Sequence, residues 1–336
     1  MTIEATWTSI VAHVNAFATK LIIGTTSRDY FLSISERERM WDRKFALPRR
    51  REHFYSRSDR EIEPLDHIRL LDDFDKLVPY MCSENDIPVL RHPDLHLFNV
   101  FVNPIDLEVT SILDWQGTRC LPYTIQSGYP RFLSNDRKGV SRIRELYRLP
   151  DNLDSLEPDE KESLQIAHTE RLSCQLYILA NAKYNRPHFD MLSQKVNSLR
   201  AEVVSRAGLP WNGDLVTFQN ALLEIIDNWE RFSTDQLCPL EYSADEVAKW
   251  REEYGEWAES YDSLLAFRAD LGINEDGWVP SEKYEETAQR NRWLRREVTA
   301  SAEPEERREI WRIWPFKDTE DMSEWHELVC KGEMTL

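Results

Sequence analysis

Apolar residues recur at intervals of three and four over most of the chain, a spacing that predicts an α-helical protein. Near the N-terminus this spacing predicts one amphipathic helix over residues 28–46 and a second over residues 65–81. A charged connector, residues 47–64, separates the two. The second helix presents an apolar stripe for burial against a core, and the stripe comprises Leu65, Ile68, Leu71, Phe74 and Leu77.

The same helical spacing returns after about residue 155 and continues almost to the C-terminus. One of these helices begins with a capping box, in which a Ser and the Glu three residues later satisfy each other's backbone N–H groups. Three of the predicted helices span residues 159–184, 187–208 and 215–233. A fourth begins at the capping box SADE, residues 243–246, and two charged helices follow at about 281–301 and 304–313.

Between these helical parts the pattern changes to that of β-strands. The sequence IPVL, residues 87–90, is a short apolar strand, and the β-rich segments NVFV and EVTSIL flank the turn sequence NPIDL. This arrangement predicts a β-hairpin over residues 99–113, with Asn99 opposite Leu113. The predicted fold class is therefore α+β, mostly helical, with one small hairpin.

The charge of the chain restricts its partners. With 336 residues and a formal net charge of −18, the surface repels phosphate backbones and anionic membranes, which disfavours nucleic acid as a partner. The same charge suits a cationic small molecule, although solubility is the more common reason for an acidic surface.

Several features bear on the compartment in which the protein resides. No apolar run reaches membrane-spanning length, and the N-terminus lacks the basic and apolar regions of a signal peptide. It is also a poor mitochondrial presequence, because it is not rich in arginine. Five dispersed cysteines without a C-x-x-C pair argue against a disulfide framework or a zinc site. A cytoplasmic protein is the prediction.

The candidate chemistry lies in VLRHPDLHLFNVFVNPIDLEVTSILDWQGT, residues 89–118. In the predicted register Asp114 returns beside Asn99, and the loop that carries Asp94 enters at the same end of the hairpin. A carboxylate beside a carboxamide suits Mg²⁺, and a second carboxylate nearby can accept a proton from an attacking hydroxyl. Each of the three residues alone is more often a turn or a cap, but their joint spacing favours a functional set.

The pattern H-x-D-L-H-x-x-N, followed by a strand and I-L-D-W, resembles the aminoglycoside phosphotransferase and choline kinase-like superfamily. Further stretches, such as DWQGTRCLPYTIQSGYPRFL and GLPWNGD, are similar to a fungal group that includes proteins named for altered inheritance of mitochondria. The resemblance covers roughly residues 25–316. It implies the large, C-terminal lobe of a protein-kinase-like fold and also allows a mitochondrial location.

The resemblance implies a role for each residue of the motif. Asp94 would be the catalytic base, and Asn99 and Asp114 would hold Mg²⁺ and, through it, ATP. His92 would brace the catalytic loop through a hydrogen bond, and His96 would support the loop rather than take part in chemistry. The implied reaction is phosphorylation of a hydroxyl group on a small molecule.

The small lobe of such a kinase has no counterpart in the sequence. Gly24 is the one glycine before Asp94, so a Gly-rich phosphate loop is missing, and Lys20 lies in a segment too short for a five-stranded lobe. We divide the chain into residues 1–24, a remnant or covering segment, residues 25–316, the lobe, and residues 317–336, an acidic tail.

Two hypotheses follow from the missing small lobe. The protein is a small-molecule kinase whose nucleotide lobe is abbreviated or supplied by a protein partner, or it is a truncated, non-catalytic, pseudokinase-like binding or scaffold module. For the isolated chain we expect poor ATP binding and slow or absent turnover. We also expect an exposed apolar face where the lobe would pack, unless the apolar segment WTSIVAHVNAFATKLIIG, residues 7–24, folds over it.

Overall fold

The computed structural model describes residues 26–53, 56–82, 86–130, 133, 148–150, 153, 156–274 and 277–316. The predicted N-terminal segment, residues 1–24, and the predicted acidic tail, residues 317–336, lie outside the described residues. In the described part the chain is mostly helical with small antiparallel sheets, so the α+β class predicted from the sequence is confirmed.

Ten α-helices form in the described part of the chain, and 3₁₀ turns occur at Leu97–Asn99, Trp229–Arg231 and Ser281–Lys283. The α-helices are α1 (Ser27–Phe45), α2 (Pro64–Met81), α3 (Tyr123–Gln126), α4 (Pro158–Tyr184), α5 (Arg186–Ser193), α6 (Lys195–Ala207), α7 (Val216–Asp227), α8 (Ala244–Asp270), α9 (Tyr284–Thr299) and α10 (Pro304–Ile313).

Among the residues that the structure describes, six strands pair into three two-stranded antiparallel sheets, β1 with β2, β3 with β6 and β4 with β5. The β4–β5 pair is the predicted hairpin, with Val100 opposite Ile112. The strands are β1 (Arg49–His53), β2 (Ser56–Ile62), β3 (Pro88–Arg91), β4 (Val100–Val102), β5 (Val109–Ile112) and β6 (Arg119–Pro122).

The predicted charged connector between α1 and α2 is wrong, because its residues form the β1–β2 hairpin. The sequence does not reveal these strands, because both are rich in charged residues and neither alternates apolar with polar residues. Two contacts link this segment to residues 211–213 of the same unit. The Trp211 indole N–H donates to the Leu47 carbonyl at 2.8 Å, and Gly213, at φ +83°, approaches so closely that a Cβ there would lie 2.7 Å from the Arg49 Cβ.

The predicted single helix over residues 187–208 is also wrong, because it is two helices, α5 and α6. Gln194 separates them with φ −93° and ψ 110°, an extended conformation. The Asn197 side-chain amide donates to the Met191 carbonyl at 3.0 Å. An asparagine side chain that takes a backbone acceptor in this way competes with helix continuation.

The chain divides into two compact units. Unit 1 comprises Met1–Met40, Leu71–Leu209 and Glu224–Leu240, and unit 2 comprises Trp41–Leu70, Pro210–Leu223 and Glu241–Leu336. Four members of the predicted α2 stripe are buried, whereas Leu65 is 72% exposed, so its assignment to the stripe is wrong. No helix in the described residues is long and apolar enough to cross a membrane.

The helices α1, α2, α6 and α7 supply large buried apolar residues of unit 1. Within this unit, α1 and α2 are joined by the buried Arg39, which donates to Asp72 at 3.0 Å and to Asp75 at 2.6 Å. The large apolar side chains buried in the described part of unit 1 include Phe31, Ile34, Leu71, Phe74, Leu77, Val78, Met81, Val203 and Ile225.

Candidate functional site

His92 ties the candidate catalytic loop to the hairpin. It follows β3 directly and is buried, with 7% of its surface exposed. Its Nδ1 accepts the Asp94 backbone N–H at 3.2 Å, and its Nε2 lies 2.7 Å from the Leu113 carbonyl oxygen. Since a backbone N–H can only donate, Nδ1 must be the acceptor and Nε2 must carry the hydrogen. One neutral tautomer therefore fixes the loop against the end of β5.

Asn99 makes a second connection between the loop and the hairpin. Its side-chain Nδ2 donates to the Asp94 carbonyl oxygen at 3.0 Å, and its own carbonyl accepts the Leu113 N–H at 2.9 Å. The latter bond confirms the predicted register, in which Asn99 lies opposite Leu113. Because Nδ2 is used by the loop, the amide presents Oδ1 as its oxygen for a ligand.

Asp114 follows Leu113 in a strained backbone conformation. Its φ of +60° lies in the left-handed region, which non-glycine residues seldom adopt. The turn continues through Trp115, whose indole N–H donates to the Ile112 carbonyl at 2.9 Å, and Gly117, at φ +73°. Residues with strained backbones are found most often at functional sites, so this conformation favours a functional role for the Asp114 carboxylate.

His96 contacts the candidate base directly. Its Nε2 lies 2.7 Å from the Asp94 Oδ1, and 30% and 43% of the two side chains are exposed. The sequence prediction, which gave His96 a role in loop support only, missed this contact. The only signal available was the spacing of two residues between the aspartate and the histidine.

These contacts place the four predicted site residues at one end of the hairpin. Asp94 and Asn99 are bonded to each other, and Asp114 is the neighbour of Leu113, to which both His92 and Asn99 are bonded. Asn99 and Asp114 offer an amide oxygen and a carboxylate, hard ligands that fit Mg²⁺. In the described residues no group of three or more His, Cys, Asp or Glu side chains could hold a metal ion, so this pair would need further oxygens from water or phosphate.

The β4–β5 hairpin exposes apolar residues from its site end to the turn at the opposite end. Phe98 is 93% exposed and Ile105 is 91% exposed. Exposed apolar residues in such number are unusual for a surface that faces water alone. The other large apolar residues exposed in this region are Leu97, Phe101, Val102, Leu107, Val109, Ile112, Leu113 and Trp115.

A largely buried polar network lies next to the loop, at the end of β3. Arg91, the last residue of β3, donates to the carbonyls of Gln126 and Tyr129, the latter at 2.7 Å. His188 lies in the same network, 2.9 Å from the Tyr177 hydroxyl. Burial lowers the pKa of His188, and the positive charge of Arg91 lowers it further.

We expect this network to make the protein less stable in mild acid. A histidine whose folded pKa lies below its ordinary value of 6.5 is protonated more readily in the unfolded chain, so its contribution to stability is lost as the pH falls below that value. Urea unfolding of the wild type between pH 7.5 and pH 5 should show this loss, and His188→Gln should flatten it. An equally steep pH dependence in both proteins would contradict the assignment to His188.

Comparison with known proteins identifies fungal relatives. Two proteins of Aspergillus fumigatus, one from each of two strains and each described as a subtelomeric hrmA-associated cluster protein, are 30% identical over 307 residues, 90% of this chain and 60% of each relative. The altered inheritance of mitochondria protein 9, mitochondrial, of Lachancea thermotolerans is 22% identical over 203 residues, 59% of this chain and 31% of the relative. The chain thus spans 60% of the length of the Aspergillus relatives.

These relatives agree with the predicted resemblance to a fungal group that includes altered-inheritance proteins. No family model matches the chain. No solved structure matches it either. The phosphotransferase superfamily and the kinase-like lobe therefore stay predictions.

Proposed function

We propose that residues 92–114 form a phosphoryl-transfer site of the aminoglycoside phosphotransferase type, which phosphorylates a hydroxyl group of a small molecule. The observation that supports this most is the bond between the Asn99 amide and the Asp94 carbonyl. That bond joins the candidate base to a candidate metal ligand and orients the Asn99 side chain. A turn residue and a loop cap with unrelated roles would not need it.

In the proposed reaction Asp94 accepts the proton of the substrate hydroxyl as its oxygen attacks the γ-phosphorus of ATP. The new bond joins that oxygen to phosphorus, and the bond from phosphorus to the departing ADP oxygen breaks. Asn99 and Asp114 would hold Mg²⁺, which neutralises charge on the phosphate oxygens when it is bound. His92 keeps the backbone of Asp94 in place.

The contact between His96 and Asp94 also has a role in the proposed reaction. Because the imidazole lies 2.7 Å from the Asp94 Oδ1, it orients the carboxylate that accepts the proton in the proposed reaction. A substrate that carries a positive charge would also be attracted by the acidic chain, which has a net charge of −18. A cationic amino alcohol is thus the substrate class we propose to examine first.

The exposed hairpin face favours a second candidate function. Without a lobe or a partner to hold the triphosphate, positioning and charge neutralisation are both lost, and these supply most of the catalysis in phosphoryl transfer. A protein that retains the loop but not the lobe would act as a binding or scaffold module, with a protein partner on the hairpin face. Activity in the cytoplasm or in mitochondria fits both functions, and the mitochondrial option rests on the name of one relative.

The proposed metal site predicts weak, ATP-dependent binding of Mg²⁺ or Mn²⁺. Two protein ligands leave most of the coordination shell to water and phosphate, so the ion alone should bind weakly and should bind more tightly with ATP present. Calorimetric titration should detect this binding in the wild type and in Asp106→Asn, a change in the exposed hairpin turn, but not in Asp114→Ala. Identical heats for wild type and Asp114→Ala would mean that the metal does not bind there.

A further inference from the structure

Unit 2 contains a cavity with an unusual concentration of positive charge. The cavity has a volume of about 210 Å³ and lies entirely among residues of unit 2. The cations that line it are Arg51 and Arg60 from the β1–β2 hairpin, Arg69 from α2 and Lys249 from α8. Nothing in the proposed phosphoryl-transfer site, which lies in unit 1, makes use of these residues.

Arg51 is the buried member of this set, and its hydrogen bonding is incomplete. The residue is 9% exposed, and its Nε has no hydrogen-bond partner in the described part of the chain. The guanidinium reaches Glu253 at 3.5 Å, whereas charge-assisted bonds of this kind are usually 2.7–2.9 Å long. A buried guanidinium with an unsatisfied Nε–H and a long acidic contact is costly, and an anionic ligand would relieve that cost.

The carboxylates in the cavity do not satisfy this requirement. Glu246 pairs with another lining cation, because Arg69 contacts it at 2.8 Å, and it also belongs to the capping box with Ser243; these contacts lower its pKa to about 2. Glu253 contacts both Arg51, at 3.5 Å, and Lys249, at 4.0 Å, and both contacts are loose. It lies near two cations without a close bond to either of them.

Four cations against three carboxylates (Asp66, Glu246 and Glu253) leave one net positive charge in the lining of the cavity, although the whole chain carries −18. Trp250 and Leu70 add an apolar wall. The volume is below the range of roughly 300–1,000 Å³ that is typical for drug-sized ligands, which favours a compact anion. A planar guanidinium can bind two oxygens of one phosphate side by side, which suits a tetrahedral oxyanion.

We propose that this cavity is a binding site for a small phosphate compound, either inorganic phosphate or a small phosphate monoester, with Arg51 as its central contact. The phosphate oxygens take the Nε–H and the adjacent Nη–H of Arg51. Lys249 and Arg60 approach from the exposed side, and the Glu253 carboxylate gives up its loose contacts to the ligand. The site is independent of the proposed phosphoryl transfer.

The test is calorimetric titration of the whole protein at low ionic strength with inorganic phosphate and, in a parallel arm, with glycerol 3-phosphate. We expect saturable binding in at least one arm, and the tighter arm distinguishes the free ion from the monoester. Arg51→Gln should weaken binding by about tenfold or more, since a hydrogen bond to a charged group is removed from a buried position. Arg290→Gln is the matched control, because Arg290 is exposed and pairs with Asp270 outside the cavity, and it should change nothing.

Two further variants keep the proposal testable if Arg51→Gln does not fold. Lys249→Gln changes an exposed side chain and should weaken binding, whereas Glu253→Gln should strengthen it severalfold, because it removes the competing carboxylate. The opposite signs exclude a general loss of structure. No saturable heat in either arm, or equal affinity in the wild type, Lys249→Gln and Glu253→Gln, would overturn the proposal.

Discussion

Replacing His92 with alanine should loosen the candidate catalytic loop and destabilise unit 1. The change leaves the Asp94 N–H and the Leu113 carbonyl without their partner and opens space beside Trp115, whose ring centroid lies 4.9 Å from that of the imidazole. Both bonds are part-buried, and a typical hydrogen bond contributes about 0.5–1.5 kcal/mol, so we expect the free energy of unfolding to fall by about 1–3 kcal/mol. Urea unfolding gives this change directly.

Hydrogen exchange localises the effect of the same substitution. In His92→Ala the amide of Asp94 should exchange much faster, because opening of the loop no longer breaks a bond. His96→Ala serves as the control, since that imidazole is partly exposed and contacts the Asp94 carboxylate rather than the Asp94 backbone N–H. Equal exchange at Asp94 in the two variants would show that His92 is not the brace.

Two conservative substitutions separate the two bonds of His92. Asparagine can place an acceptor near the position of Nδ1 and so retain the bond from Asp94. Glutamine can place a donor near the position of Nε2 and so retain the bond to Leu113. We expect each variant to be more stable than His92→Ala, with slow exchange at Asp94 in His92→Asn alone.

The helical part of the fold could be predicted from sequence because a helix with one buried face has apolar residues every three or four positions, a pattern that is visible in the sequence. The α2 stripe shows this, and so does the capping box of α8, in which Ser243 and Glu246 bond as predicted. The errors arise where burial of an apolar face does not determine the local structure. Leu65, in the first turn of α2, fits the spacing but is exposed. The break at Gln194 is accompanied by a hydrogen bond from the side chain of Asn197, four residues beyond the end of α5.

The β1–β2 hairpin was beyond prediction for a different reason. Its strands are rich in charge, so the alternation that identifies a half-buried strand is absent. The chain around Gly213 approaches the hairpin closely, a contact between distant residues. The cavity at Arg51 shares this origin, because its lining comes from four separate segments of the chain.

The candidate site was easier to predict than its detailed contacts. The local order of His92, Asp94, Asn99 and Asp114 carries the motif, and a hairpin of known length brings its ends together. The contact between His96 and Asp94 depends on the backbone course of the loop between His92 and Asn99, and no spacing rule specifies that course. The positive φ of Asp114 is likewise a property of the folded backbone that the order of the residues does not specify.

Removing the proton-accepting ability of Asp94 should have the largest effect on activity. Asp94→Asn keeps the size of the side chain and its polar contact with His96, but an amide cannot take the proton of the substrate hydroxyl. General base catalysis contributes about 10²–10⁴-fold to rates, so we expect any phosphoryl transfer to fall by about that factor. Metal binding should persist, because Asn99 and Asp114 are unchanged.

The central claim, that this loop performs phosphoryl transfer, is tested most directly by an ATP-dependent phosphorylation assay over a panel of hydroxyl compounds, with cationic amino alcohols included. The wild type, Asp94→Asn and Asp106→Asn are compared, the last as a matched change at an exposed turn carboxylate of the same hairpin. The account predicts slow turnover by the wild type and by Asp106→Asn, and a loss of that turnover in Asp94→Asn. Equal rates in all three proteins, however small, would contradict it and favour a binding module.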